Sequence, residues 1–171
     1  MRTHTHVESP VGTLTLVATD GVLSGLYMTN QRHLPDTTTF GENDPTAFPA
    51  TITQLTEYFE GTRTEFDIPL HLHGTDFQRR VWAELTTIPH GETTSYGELA
   101  LRITGTLTAS RAVGLANGKN PISIIVPCHR VVGATGNLTG YGGGLARKQH
   151  LLDHERRTAG TTTPDLFTTM G

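Results

Sequence analysis

Residues 95–118 read SYGELALRITGTLTASRAVGLANG, and this stretch decides the fold. Ser95 and Glu98 stand at the spacing of a capping box, in which the serine hydroxyl takes a backbone N–H of the first turn and the carboxylate returns the bond. That spacing predicts a helix over Tyr96–Ile103. Thr104-Gly105 turns the chain, and Thr108 is the expected cap of a following helix over Ala109–Asn117, closed by Gly118. Two short helices joined by a glycine-containing turn make a helix-turn-helix pattern. The second helix is unusual for a reader of bases. Ala109, Ala112, Val113 and Ala116 form an i, i+3, i+4, i+7 stripe expected to pack inward, while Arg111 and Gly114 face out. It lacks an early Asn, Gln or second Arg for base edges in a major groove. Small residues around one long cation suit close approach in the minor groove, and so DNA binding with little sequence preference. The competing reading is a solvated arginine on an ordinary core helix.

Upstream, Thr75-Asp76-Phe77-Gln78 is another capping box. Its helix carries Phe77, Val81, Leu85 and Ile88 on one face, with Trp82 beside them, and ends at Pro89-His90-Gly91. Downstream, Asn117-Gly118-Lys119-Asn120-Pro121 reads as a turn before the apolar run Ile122–Val126. Then comes Pro127-Cys128-His129-Arg130, with the one cysteine among 171 residues. A lone cysteine after an apolar run is more often a silent core thiol. Two features argue otherwise. Pro127 interrupts strand pairing, so the chain leaves the sheet as it reaches the thiol. His129 supplies the base a thiol needs to become thiolate at neutral pH. Neighbours in an extended chain point apart, so a Cys-His pair works directly only in a turn, or through a bridging water.

The last helix is expected over 145–157. Glu155 lies i+4 from Leu151 and i+3 from Leu152 and shares their inward face, where a carboxylate is costly unless hydrogen-bonded. His129 is the natural partner, giving a nucleophile, base and orienter in Cys128, His129 and Glu155. The alternative is a rim carboxylate paired with Arg156 or Lys148. Between these elements, Gly136–Gly144 surrounds Tyr141 with glycine, which suits a loop whose backbone approaches a ligand. A phosphate cradle is disfavoured, because no Gly-Lys-Ser/Thr follows.

The first part of the chain reads as an antiparallel meander. Strand patterns cover Thr3–Ser9, Thr13–Thr19 and Val22–Tyr27, with Asp20-Gly21 as a tight hairpin. Residues 30–46 read as a polar surface loop. Phe48, Ile52, Leu55 and Phe59 predict a helix over 48–60 ended by Gly61, and Glu65–Leu70 a short strand. His71 and His73 read as surface histidines. A domain boundary near Gly74 gives a first domain over 1–74 and a second over 75–157, with a Thr-rich tail, 158–171, expected to be disordered. Residues 1–74 hold three basic and nine acidic residues, and 75–157 hold ten basic and six acidic. That asymmetry favours a nucleic-acid face on the second domain despite a net charge of −3. One cysteine excludes an internal disulfide and a paired-cysteine zinc site. The absence of an apolar N-terminal run or a membrane-length segment points to a soluble, cytoplasmic protein.

Pro127-Cys128-His129-Arg130-Val131, with Arg111-Ala112-Val113-Gly114 upstream, resembles the O6-alkylguanine-DNA alkyltransferases, also called methylated-DNA-protein-cysteine methyltransferases. The resemblance extends through Phe77–Trp82, Gly91–Ala100, Asn120-Pro121, Tyr141–Leu145 and Leu151–Glu155. Over 1–74 it holds in layout only. It implies an α/β protein with an N-terminal ribonuclease-H-like domain and a mostly helical, winged helix-turn-helix C-terminal domain. It implies direct, irreversible, single-turnover repair, in which Cys128 takes the alkyl group from O6-alkylguanine, or O4-alkylthymine, in double-stranded DNA. Arg111 would enter the base stack as the damaged nucleotide rotates out, with Ala109, Ser110, Ala112 and Gly114 lining the contact. His129 would take the thiol proton through a water, and Glu155 would hold its tautomer. Tyr96 would hydrogen-bond the departing guanine, and Asn120 would shape the turn beside the site. Pro127, Val131, Tyr141, Gly142 and Gly143 would wall the pocket. No cofactor is implied. Some members bind zinc through N-terminal cysteines that this chain lacks, so no metal is expected. The protein is expected to be a monomer in solution, with cooperative assembly on DNA left open.

Two departures concern the DNA face. The segment from Ile103 to Ser110 is about one residue longer than usual, and Ser110 stands where alanine is common. Two other functions compete with the resemblance. A winged-helix regulator with an inert cysteine would bind selected sequences and form no covalent product. A cysteine hydrolase would turn over many times.

Overall fold

The structure is a computed structural model that describes residues 1–136, 138 and 141–162. Its first half is a four-stranded sheet of order β3-β2-β1-β4. Strands β1 (Arg2–Val7), β2 (Leu14–Thr19) and β3 (Val22–Met28) form the antiparallel meander that alternation predicts. The hairpin between β2 and β3 turns on Asp20 and Gly21, whose φ values are 51° and 81°. Positive φ at both central residues gives a turn whose twist matches that of the strands.

The segment 30–46 is more ordered than its polarity suggests. It holds a 3₁₀ turn over Thr37–Phe40 and the two-residue strand β4 (Glu42–Asn43), parallel to β1. Phe40 is buried and stacks on Tyr27, with ring centroids 5.3 Å apart. That stacking covers the outer face of the sheet and anchors the loop. The inner face carries Leu14, Leu16, Leu26 and Met28 and meets Leu55 and Tyr58 of helix α1 (Pro49–Glu60).

Helix α2 (Asp76–Leu85) and helix α3 (Tyr96–Thr104) both start in the capping boxes read from the sequence. Helix α4 (Ser110–Gly118) follows a 3₁₀ turn over Leu107–Ala109. Here the expected cap is corrected. Thr106, not Thr108, caps that turn by accepting the Thr108 N–H, and α4 itself has no side-chain cap. The expected inward stripe is also corrected. Val113 and Ala116 are buried and Asn117 joins them, but Ala112 is exposed and Ala109 half-buried. A nine-residue helix resting on two neighbours turns only a narrow face inward. Trp82 fastens α2 to α4 by donating its indole N–H to the Ala116 carbonyl at 2.9 Å.

The predicted strand Glu65–Leu70 and the apolar run Ile122–Val126 each meet the free edge of β3 at a single bridge. Leu70 bridges Leu23, and Ile122 bridges Leu26. The rest of Glu65–Leu70 is irregular, and Ser123–Ile125 form a turn. The wing is equally small, a parallel pair of β5 (Thr94–Ser95) and β6 (Val131–Val132). Helix α5 (Leu145–Thr162) runs past the expected end at 157, so the tail begins as helix. Residues 163–171 of the tail, and Asn137, Thr139 and Gly140 of the glycine loop, lie outside the described residues. One hydrophobic cluster joins both halves across Gly74, from Leu14 and Tyr58 to Val113, Cys128 and Leu151. Among the described residues no helix is long and apolar enough to cross a membrane.

Candidate active site

The site is built on a turn pinned to the sheet edge. The Leu26 N–H donates to the Pro121 carbonyl at 2.9 Å, and the Ser123 N–H donates to Leu26 at 3.3 Å. Asn120 staples the same turn at both ends. Its side-chain oxygen accepts from the Ile122 N–H at 3.0 Å, and its Nδ2 donates to the Val126 carbonyl at 2.7 Å. Within the turn Ile124 has φ 72°. A β-branched residue in the left-handed region is a strained backbone that surrounding structure must hold in place.

Cys128-His129-Arg130 follow as one turn of 3₁₀ helix. The Cys128 thiol is buried, and burial pushes its pKa up to about 11, against the pull of a hydrogen bond from Asn120 and the charge of Lys148. At neutral pH the resting group is therefore the thiol, and a base must remove its proton before it can act as a nucleophile.

His129 is fully buried, and its Nε2 meets the Glu155 Oε2 at 2.7 Å. Glu155 is 1% exposed, and the charge of Arg130 with the hydrogen bonds from His129 and Arg130 overcomes the upward push of burial to hold its carboxyl well below the usual range. An ionised carboxylate only accepts, so Nε2 carries the proton and the lone pair sits on Nδ1. That Nδ1 is buried without a hydrogen-bond partner among the described residues. Burial lowers the His129 pKa despite Glu155, which keeps the imidazole neutral.

Three more groups complete the site, and sequence reasoning missed their parts. Arg130 clamps Glu155 with Nε at 2.8 Å and Nη2 at 3.0 Å, and its Nη1 donates to the Ile88 carbonyl at 2.6 Å. The Tyr58 hydroxyl donates to Glu155 Oε2 at 2.6 Å. Lys148 is fully buried and donates to the Val131 carbonyl at 2.6 Å, and burial lowers its pKa to about 8. One signal for Lys148 was available: positions 148, 151, 152 and 155 share a helix face, so whatever places Glu155 inward places Lys148 there too. Neither alternative partner of Glu155 is used. Arg156 pairs with Asp153, and Lys148 turns to Val131.

The remaining residues fall into two groups. Tyr141 is buried, with its hydroxyl unpartnered among the described residues, and Val131 and Pro127 flank the cysteine turn. Gly142 accepts the Arg32 N–H at 2.6 Å. A Cβ on Gly143 would lie 2.6 Å from the Met28 sulfur and 2.8 Å from the Tyr141 ring, so only glycine fits beneath that tyrosine. Tyr96 is half-buried, 6.0 Å from Lys148 Nζ to its ring centroid. The second group is on α4. Arg111 and Ala112 are exposed, Ser110 and Gly114 half-exposed, and Tyr96 lies within 3.8 Å of the place a Gly114 Cβ would take. Tyr96 thus lies between Gly114 on α4 and Lys148 on α5.

Two family models divide the chain. Residues 3–72 match the ribonuclease-like domain of 6-O-methylguanine DNA methyltransferase, and residues 76–157 match its DNA-binding domain. A methylated-DNA-protein-cysteine methyltransferase of Mycolicibacterium paratuberculosis is 60% identical over 151 residues, 88% of this chain and 90% of that one. The chain belongs to the methylated-DNA-protein-cysteine methyltransferase family. The solved O6-methylguanine methyltransferase of Mycobacterium tuberculosis superposes with a TM-score of 0.87 at 51% identity, over all of both chains. The M. tuberculosis OGT solved in complex with DNA superposes with a TM-score of 0.86 at 53% identity, over 91% of this chain and 94% of that one. Methylated-DNA-protein-cysteine methyltransferases repair DNA by moving a methyl group to a cysteine of the protein, and this member has a single cysteine, Cys128.

Proposed function

We propose that Cys128 takes the alkyl group from O6-alkylguanine, and from O4-alkylthymine, in double-stranded DNA, once per molecule and irreversibly. The observation that carries this reading is the 2.7 Å bond between His129 Nε2 and the buried Glu155, which leaves the Nδ1 lone pair of a neutral imidazole to act as base. His129 takes the Cys128 proton, relayed by a water. The thiolate attacks the alkyl carbon in line, the S–C bond forms, and the C–O6 bond breaks with its electrons going to the guanine. Tyr96 donates a hydrogen bond to the departing ring, where the charge develops. Lys148 and Asn120 favour the thiolate over the thiol. Burial is then useful: it keeps the thiol silent until the rest of the site holds a substrate.

Helix α4 is the DNA contact, seated in the minor groove with little sequence preference. Arg111 takes the place of the nucleotide rotated out of the stack. Tyr141, Gly142 and Gly143 wall the pocket for that base. The protein acts as a monomer in the cytoplasm. Counting methyl groups tests the reading. With a duplex carrying radiolabelled O6-methylguanine in excess, the label on protein rises to one methyl per molecule and stops. Continued turnover would identify a hydrolase instead, and sequence-selective binding without transfer would identify a regulator.

A further inference from the structure

The groups that hold Glu155 do not all come from the half of the chain that carries Cys128. Tyr58 lies on α1, in the acidic first half, 97 positions before Glu155. Its hydroxyl donates to Oε2, the same oxygen that accepts His129 Nε2 at 2.7 Å and Arg130 Nη2 at 3.0 Å, while Oε1 accepts Arg130 Nε. Among the described residues, Tyr58 is the only residue before position 129 that bonds this carboxylate. Its backbone is held as well, because its carbonyl accepts the His154 Nε2–H at 2.7 Å. The ring is fully buried between Phe59, Phe66, His90 and His154.

We propose that Tyr58 is a positioning residue for alkyl transfer, by which the first domain sets the seat and the basicity of His129 through Glu155. The inference rests on the reading of Cys128, His129 and Glu155 as the reacting groups. Its physical basis is competition for one oxygen. Each donor on Oε2 draws off charge that would otherwise stabilise the protonated His129. A phenol donates without charge, and burial together with Glu155 keeps it protonated across the working pH range. Tyr58 therefore acts as a constant weight on the relay. The other charged or titratable groups facing this pair are Arg130 on the cysteine turn, His90 after α2, His154 and Lys148 on α5, and Tyr141 and Cys128 in the site. Packing alone would need only the ring; the hydroxyl alone touches Oε2.

Tyr58→Phe separates the two roles. Transfer from free O6-methylguanine base is measured against pH, so that DNA binding does not enter. Without the phenol, Glu155 holds the imidazolium more tightly, and the acid limb of the profile moves up by about half to one pH unit. Site-specific 3-fluorotyrosine at position 58 is a stronger donor of almost the same size, and moves the limb down. Phe59→Leu, which loosens the same helix without touching Oε2, leaves it in place. An unmoved limb in both position-58 variants overturns the inference, as does an equal shift in Phe59→Leu. The wild-type arm tests the underlying reading separately: a wild type that gains no methyl removes both, whereas a reactive wild type with an unmoved limb in the variants removes this inference alone.

Discussion

Replacing Glu155 by glutamine attacks the site and the fold at one point. The carboxylate is 1% exposed and accepts four hydrogen bonds, two from Arg130, one from His129 and one from Tyr58. Glutamine keeps the shape but offers one acceptor oxygen, and its amide N–H₂ must face another donor. Arg130, 7% exposed, is left with the Ile88 carbonyl and no counter-ion. Breaking a buried pair from one side costs about 3–5 kcal/mol, a fifth or more of the roughly 5–15 kcal/mol typical of a domain. At a urea slope of about 2 kcal/mol per M for a chain of this size, the midpoint falls by roughly 1.5–2.5 M. The pH dependence follows from the depressed folded-state pKa of Glu155. The stabilisation it gives is fully present above the unfolded carboxylate pKa and is lost as pH falls toward the folded one. The gap between wild type and Glu155→Gln therefore narrows only below about pH 4. A midpoint loss under about 0.5 M at pH 7, or a gap that closes at pH 6, would refute this account of the relay.

Other perturbations separate the parts of the site. Cys128→Ala keeps DNA affinity and loses all transfer, measured by gel shift and by label on protein; residual transfer means another nucleophile. Arg111→Ala slows repair in duplex DNA far more than reaction with the free alkylated base, and equal slowing contradicts its role in the stack. Lys148→Met removes the cation beside the thiol, so the pH at which transfer reaches half its maximal rate rises by about one unit; an unchanged profile means that Lys148 does not favour the thiolate. Binding to undamaged duplex weakens as salt rises, because phosphate contacts carry it.

What the sequence revealed divides along the range of the interactions. Ser95 with Glu98, Thr75 with Gln78, and Asp20-Gly21 act within a few residues, and their local chemistry was enough to place α3, α2 and the β2–β3 hairpin. His129 could be paired with Glu155, because Glu155 shares the inward face of Leu151 and Leu152. Tyr58 was not legible. At helical spacing it is one more core aromatic, and only the packing of α1 against α5 brings its hydroxyl to a carboxylate 97 positions away. Arg130 was hidden differently, since an arginine beside a histidine carries no sign that it will be buried. The strand expected over Glu65–Leu70 failed because that segment meets the edge of β3 only at Leu70, and the apolar run Ile122–Val126 meets it only at Ile122 before turning. The 30–46 segment is the exposed loop its polarity predicts, and what the sequence did not show is the anchor, Phe40 stacked on Tyr27.

The central claim is that Cys128 is the acceptor of a group from damaged DNA. The most direct measurement is the intact mass of the protein after mixing with an equimolar duplex containing O6-methylguanine, followed by peptide mapping. The account predicts a stoichiometric gain of one methyl group, located on Cys128, and none with an unmodified duplex. No gain, or a methyl on any other residue, would contradict it.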